Sequence, residues 1–171
     1  MMPSRPVPFH PVPFVLLAGS AALLLGALVF QYIGGLRPCV LCIWQRWPHG
    51  IVIALAAIAL LPGPGPATRR VLVGLAGVAL LVGAGIAIYH VGVEQKIFAG
   101  TESCVGGSIS SATSLAEARE KLLNAPVVRC DEVAWSMFGI SMAGYNALIS
   151  LMLAAFAGTT VVRQDVWQVR P

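Results

Sequence analysis

Pro38-Cys39-Val40-Leu41-Cys42-Ile43-Trp44-Gln45-Arg46-Trp47 is the stretch on which the reading of this chain turns. Two cysteines three residues apart lie one turn apart on a helix, where they can close a short disulfide or share a metal. Pro38 suits a first helical position, which predicts Cys39 near a helix N-terminus, where the helix dipole favours a thiolate. At 100° per residue, Cys39, Cys42 and Arg46 fall within an arc of about 60°. A redox-capable pair and a fixed positive charge therefore share one face, just where a long apolar run begins.

Outward from this stretch the chain is lipid-like. Its 171 residues are 57% hydrophobic and only 11% charged, with a mean hydropathy of +0.82. Soluble domains carry roughly 25% charged residues, so an integral membrane protein is expected, of a length that fits one compact unit over residues 1–171. The net charge of +4 is not gathered into a basic stripe, which argues against a nucleic-acid partner. Nor does a small-residue cleavage site clearly follow the first apolar run, so no cleaved signal peptide is expected.

Four apolar runs are long enough to span, at about 14–33, 40–61, 71–89 and 140–162. Before them, five prolines between Pro3 and Pro13 predict an extended tail. Gly34-Gly35 ends the first run and leads through Arg37-Pro38 into the cysteine pair, a short outer loop of about 34–42. In the second run, Trp44 and Trp47 fit an interfacial aromatic belt, and Pro48 should kink the helix by removing the bond to the Trp44 carbonyl. Pro62-Gly63-Pro64-Gly65-Pro66 reads as a rigid connector. Residues 90–139 form a long polar excursion that holds six of the seven acidic residues. Within it, Ser114-Leu115-Ala116-Glu117 matches a capping box opening a short amphipathic helix to about Leu123, suited to a membrane surface.

Four spans put both termini on one side. That side carries Arg5, Arg69, Arg70, Arg163 and Arg170 in short segments, so the positive-inside rule predicts cytoplasmic termini. All four cysteines then face the oxidising side. Small residues recur every fourth position, as in Ala79, Gly83 and Ala87 or Gly139, Ala143 and Ala147, which predicts an antiparallel four-helix transmembrane bundle. Asn146 in the last run reads as a helix-to-helix hydrogen bonder rather than a site residue.

Cys104 and Cys130 lie in the long loop, 26 residues apart. Paired with each other they would be a structural staple of a few kcal/mol. Four thiolates could instead hold zinc, although the second pair lacks the spacing and no metal is expected. Redox exchange accounts for more: a loop pair can reach a soluble partner, and a membrane-edge pair can reach an acceptor dissolved in lipid. A quinone is the natural two-electron acceptor at that depth. Arg46 would stabilise a Cys42 thiolate and the charge developing on a quinone oxygen.

At these residues the chain resembles the bacterial disulfide bond formation protein B (DsbB) family of inner-membrane thiol–quinone oxidoreductases. The likeness covers nearly the whole chain: four spans, Pro38-Cys39-Val40-Leu41-Cys42-Ile43 with Arg46 four residues on, and a loop cysteine pair before the last span. It implies that Cys104 forms the mixed disulfide with a periplasmic thioredoxin-fold oxidase of the DsbA type. Cys130 would exchange with Cys39, and Cys42 would face ubiquinone or menaquinone beside Arg46. His90 resembles a family position near the quinone. His49, on the Cys42 side of its helix, is a further candidate contact. Two rival classes remain at this point. One is a vitamin K epoxide reductase-like enzyme, although its CxxC would lie in the last span. The other is a non-catalytic scaffold with a structural disulfide.

Overall fold

The apolar runs become helices because nothing in lipid but the chain itself can satisfy their backbone groups. The structure, a computed structural model, describes residues 11–101, 104, 114–124, 128–163 and 167. Its elements are α1 (Pro11–Tyr32), α2 (Val40–Trp44), α3 (Arg46–Leu60), α4 (Pro66–Glu94), α5 (Leu115–Asn124), β1 (Ser136–Met137), β2 (Ile140–Ser141) and α6 (Met142–Val162). Four stretches are long and apolar enough to cross a membrane: α1, α2 with α3, α4, and α6. They form the expected antiparallel bundle, in which α1 packs on α3, α3 on α4 and α4 on α6, with α4 against α6 the most extensive contact. α1 and α6 close the ring only sparsely.

Several boundaries differ from the sequence reading, each for a local reason. Pro11 and Pro13 lie in the first turn of α1 rather than in an extended tail; a proline is tolerated there because those N–H groups lack intrahelical partners anyway. Pro38 stands one residue outside the helix instead of at its first position, and Cys39 is itself the N-cap. Pro48 does interrupt the second span, but the break falls at Gln45, between α2 and α3. It follows directly on Trp44, whose carbonyl, four residues before Pro48, the proline ring crowds. α4 begins at Pro66 with Gly65 as its cap, and so takes Arg69 and Arg70 into the helix. At the other end of the excursion, Ile140 and Ser141 pair with Met137 and Ser136 in a two-residue hairpin, and Ser141 caps α6 by accepting from the Gly144 N–H.

The capping box at Ser114 is present, the hydroxyl accepting from the Glu117 N–H at 3.2 Å. It opens α5, whose Leu115 is exposed.

Two apolar clusters fill the bundle. One, at the end carrying the termini, joins Val12, Leu16, Val52, Ala56, Val73, Ala76, Leu80, Ala154 and Ala157, and Trp167 folds back onto it. Close approach there rests on small residues: a Cβ added at Gly77 would stand 3.2 Å from that of Ala157. The expected small-residue rows are used in part. Gly83 meets Pro48, whereas Gly26 and Gly50 face no neighbour within 4 Å. The second cluster, at the opposite end, consists of Cys39, Leu41, Val93, Cys104 and Cys130, flanked by Cys42, Tyr89 and Val128.

Candidate active site

The second cluster holds all four cysteines. Cys104 and Cys130 form a disulfide with a Cα–Cα distance of 5.1 Å, and both are buried. Cys39 and Cys42 are free, their sulfurs 2.8 Å apart. The cap geometry explains this closeness. Cys39 has extended backbone angles at the N-cap, and its sulfur accepts from the Cys42 N–H at 3.2 Å. The Cys39 thiol is held well below its ordinary range, first by the hydrogen bond with the Cys42 side chain and then by His90, against a burial that opposes ionisation.

His90 comes from the last turns of α4, its Nε2 3.5 Å from the Cys39 sulfur and 4.0 Å from Glu94 Oε1. Glu94 is buried at the end of α4 and accepts from the Ser141 hydroxyl, which ties α4 to the start of α6. Residues 95–101 turn back against α4. Ile97 and Phe98 both donate to the Gly92 carbonyl, and the Phe98 ring lies where a Cβ on Gly92 would be. Tyr89 stacks on Phe98 and donates to the Ala99 carbonyl at 2.7 Å. This fold-back delivers Cys104 to the second cluster.

A chain of polar side chains runs inward from His90. Gln45 Nε2 lies 2.8 Å from His90 Nδ1, Asn146 Nδ2 donates to Gln45 Oε1 at 2.6 Å, and His49 Nε2 lies 2.8 Å from Asn146 Oδ1. Asn146 therefore bonds across helices as expected, but to two residues of the site region. Gln45, Gln31 and Glu94 were not identified from sequence. Glu94 left one usable signal, since four residues after His90 it lies on the same helical face.

Cys42, Arg46, His49 and His90 all line a cavity of about 330 Å³, which Cys39, Gln31, Asn146 and Glu94 also reach. Arg37, Gln45, Arg129 and Glu132 also line it, and the apolar part of its wall comes from α1 residues such as Leu23 and Phe30 and α6 residues such as Met142 and Ile149. It occupies the gap where α1 and α6 pack least. Arg46 Nη1 donates to Gln31 Oε1 at 2.6 Å, while Arg46 Nε and His49 Nδ1 are buried with no hydrogen-bond partner among the described residues. Buried polar atoms normally find a partner, so two unsatisfied ones on a wall that also carries a broad apolar face suit a largely apolar ligand with polar oxygens. A second cavity, of about 430 Å³, lies over Cys104 and is lined by Lys96, Ile97, Phe98, Arg129 and Asp131.

A four-thiolate zinc site has lost two of its ligands to the Cys104–Cys130 disulfide. Cys39, Cys42 and His90 do bring three candidate atoms within 4.8 Å. Two thiolates on one tetrahedral zinc would stand about 3.8 Å apart, given Zn–S bonds of about 2.3 Å. At 2.8 Å the two sulfurs are closer to a bond with each other than to shared metal ligation.

The chain is similar to known proteins along most of its length. Residues 10–160 match the family model described as disulfide bond formation protein DsbB. Relatives with the same description include one from Saccharophagus degradans, 31% identical over 157 residues that cover 90% of this chain and 89% of the relative. Another, from Stutzerimonas stutzeri, is 30% identical over 152 residues, covering 86% and 91%. A third, from Chromohalobacter salexigens, is 32% identical over 152 residues, covering 84% and 88%. No solved structure matches the chain.

Proposed function

The chain belongs to the DsbB family of disulfide bond formation proteins, and from that premise we propose that it reoxidises a periplasmic thioredoxin-fold dithiol oxidase and passes the electrons to a membrane quinone. The observation that carries this reading is the gathering of two cysteine pairs in one cluster, one beneath a surface cavity and the other on a membrane-level cavity. As a disulfide bond formation membrane protein, it sits in the inner membrane with both termini in the cytoplasm and its cysteines on the periplasmic side.

In this reading the DsbA-like partner docks over the Cys104 cavity, and one of its thiolates attacks the Cys104 sulfur. The Cys104–Cys130 bond breaks and Cys130 leaves as a thiolate. The partner's second thiol then closes the partner's disulfide and releases Cys104. Two electrons now reside on Cys104 and Cys130. Exchange between Cys130 and Cys39 moves them to the inner pair, and Cys104–Cys130 is re-formed. When Cys39 and Cys42 join again, two electrons and two protons must leave.

A quinone, ubiquinone or menaquinone, supplies the two-electron, two-proton acceptor for that last step. Arg46 would hold one of its oxygens through the free Nε, and His49 and His90 line the same space. The apolar face from α1 and α6 would bind the ring and exclude water. Arg46 is aligned by Gln31 rather than by Cys42, and its charge faces the same cavity as the thiol pair.

The test is turnover by purified protein with reduced partner and quinone. Cys42→Ser should reduce hydroquinone formation to background while Cys104 still forms a mixed disulfide with the partner. Undiminished turnover in Cys42→Ser would exclude the assigned route.

A further inference from the structure

Four side chains of this site form a hydrogen-bonded row whose polarity is set from outside. Each amide in it could in principle point either way, and each imidazole could carry its proton on either nitrogen. One contact removes the ambiguity. Gln45 Nε2 lies 3.3 Å from the backbone carbonyl of Leu41, an atom that can only accept, so the NH₂ group faces that side. The same NH₂ group is 2.8 Å from His90 Nδ1, which must then be the bare, accepting nitrogen. Gln45 Oε1 is left to accept, and Asn146 Nδ2 donates to it. Asn146 Oδ1 in turn accepts from His49 Nε2 and from the Ser150 hydroxyl. Every bond in the row donates in one direction, from His49 towards His90. With Nδ1 bare, the proton of neutral His90 sits on Nε2, the atom 3.5 Å from Cys39.

We propose that Gln45 and Asn146 are positioning residues, a pair of linked amides that locks His90 as its Nε2–H tautomer and so makes it a hydrogen-bond donor to the Cys39 sulfur. His90 then stabilises Cys39 as the thiolate of the inner pair and does not act as its base. With the quinone of the proposed function as the two-electron acceptor, a Cys39 thiolate is the nucleophile that bonds to the Cys42 sulfur while the electron pair on that sulfur passes to the acceptor. It is also the form that exchange with Cys130 regenerates. Gln45 suits this task because it is the residue at the break ahead of Pro48. There its side chain reaches back to the Leu41 carbonyl, across to α4 and onward to α6. The inference deepens the proposed redox function but rests only on the resting hydrogen bonds of this chain.

The groups facing His90 are Cys39 and Cys42 from the α2 end, Gln45, Glu94 from its own helix, and the backbone of Cys130, a second hydrogen-bond partner for the ring. Arg46, Arg129 and Glu132 line the adjoining cavity.

The experiment uses full-length, quinone-free protein with ¹⁵N-labelled histidine and the Cys104–Cys130 bond intact. The ring ¹⁵N shifts of His90 should report a protonated Nε2 and a bare Nδ1. In Gln45→Met the lock is lost, and the two tautomers should become mixed. In a Cys42→Ser background, the pH midpoint for alkylation of Cys39 should rise by about one unit in the same variant, the scale set by one hydrogen bond to a charged group. Asn146→Leu keeps the Leu41 and His90 contacts of Gln45 and should give a smaller shift in both readouts; it also serves if Gln45→Met fails to fold. A wild-type His90 protonated on Nδ1, as tautomer or as imidazolium, would overturn the proposal. So would an unchanged tautomer and midpoint in the variants. Neither readout involves partner or quinone, so failed turnover with an intact lock would count against the proposed function alone.

Discussion

The two ends of the bundle are built from the same four helices and solve opposite problems. At the end where α1 begins and α6 finishes, Leu16, Val52, Ala56, Leu80 and Ala157 meet with little but methyl groups between backbones. The buried Arg69 is the polar exception there, its Nε without a hydrogen-bond partner among the described residues. At the other end the helices part, and the space is crossed by Gln45, Asn146, His49 and His90 and bordered by a buried Arg46 nitrogen that has no partner. Lipid offers no solvent to satisfy such groups, so they persist only where they satisfy one another or await a ligand. The close-packed end supplies the rigidity that lets the polar end stay open.

The contrast is broken most severely by removing charge from the open end. Arg46→Leu should weaken quinone binding about tenfold to a hundredfold, the range expected for losing a charge-assisted hydrogen bond. Thermal unfolding should change less, because losing the bond to Gln31 is offset by removing a buried guanidinium nitrogen that has no partner among the described residues. Titration of quinone into wild type and variant, alongside melting curves, checks both halves of the statement.

Ala157→Leu addresses the opposite end. With Gly77 directly across, the added side chain has no room, and overpacking of this kind costs about 1–3 kcal/mol. The protein should melt at lower temperature while each folded molecule keeps its quinone affinity and its Cys39 alkylation midpoint. A loss of affinity without a loss of stability would show that the two ends are not separable in this way.

The smallest effect belongs outside the bundle. Arg129 pairs with Asp131 at 2.7 Å on the rim of the cavity over Cys104 and holds that exposed carboxyl below its ordinary range. A depressed carboxylate contributes above its unfolded midpoint, and the contribution fades as pH falls through the lower folded one. Arg129→Ala should let the Asp131 midpoint, followed by NMR, rise back towards the ordinary carboxylate value. Both apolar clusters should remain unaffected.

Much of this division can be read in the sequence, and the limits of that reading are physical. Spans follow from the scarcity of charge, and the thiol pair with Arg46 follows from helical spacing. The likeness of Pro38 through Arg46 to a known family anticipated the membership that the comparisons show. Helix ends were harder, because a proline such as Pro11 or Pro38 is compatible with several cap positions and only packing selects one. The row from His49 to His90 could not be read at all. Gln45 and Asn146 are 101 residues apart, and nothing local in either marks a partner across the bundle. Gln31 was equally silent, since a lone amide near a helix end is common.

The sparse closure between α1 and α6 has one more consequence. A cavity walled by α1 and α6 at the depth of the spans would let a guest already dissolved in the bilayer enter without crossing water. For the quinone of the proposed function, the ring would sit inside while the isoprenoid tail stays among the acyl chains. Exchange of spent for fresh guest then becomes a two-dimensional diffusion problem. Its pace would follow the fluidity and lateral pressure of the surrounding lipid, and the membrane itself becomes one of the reagents.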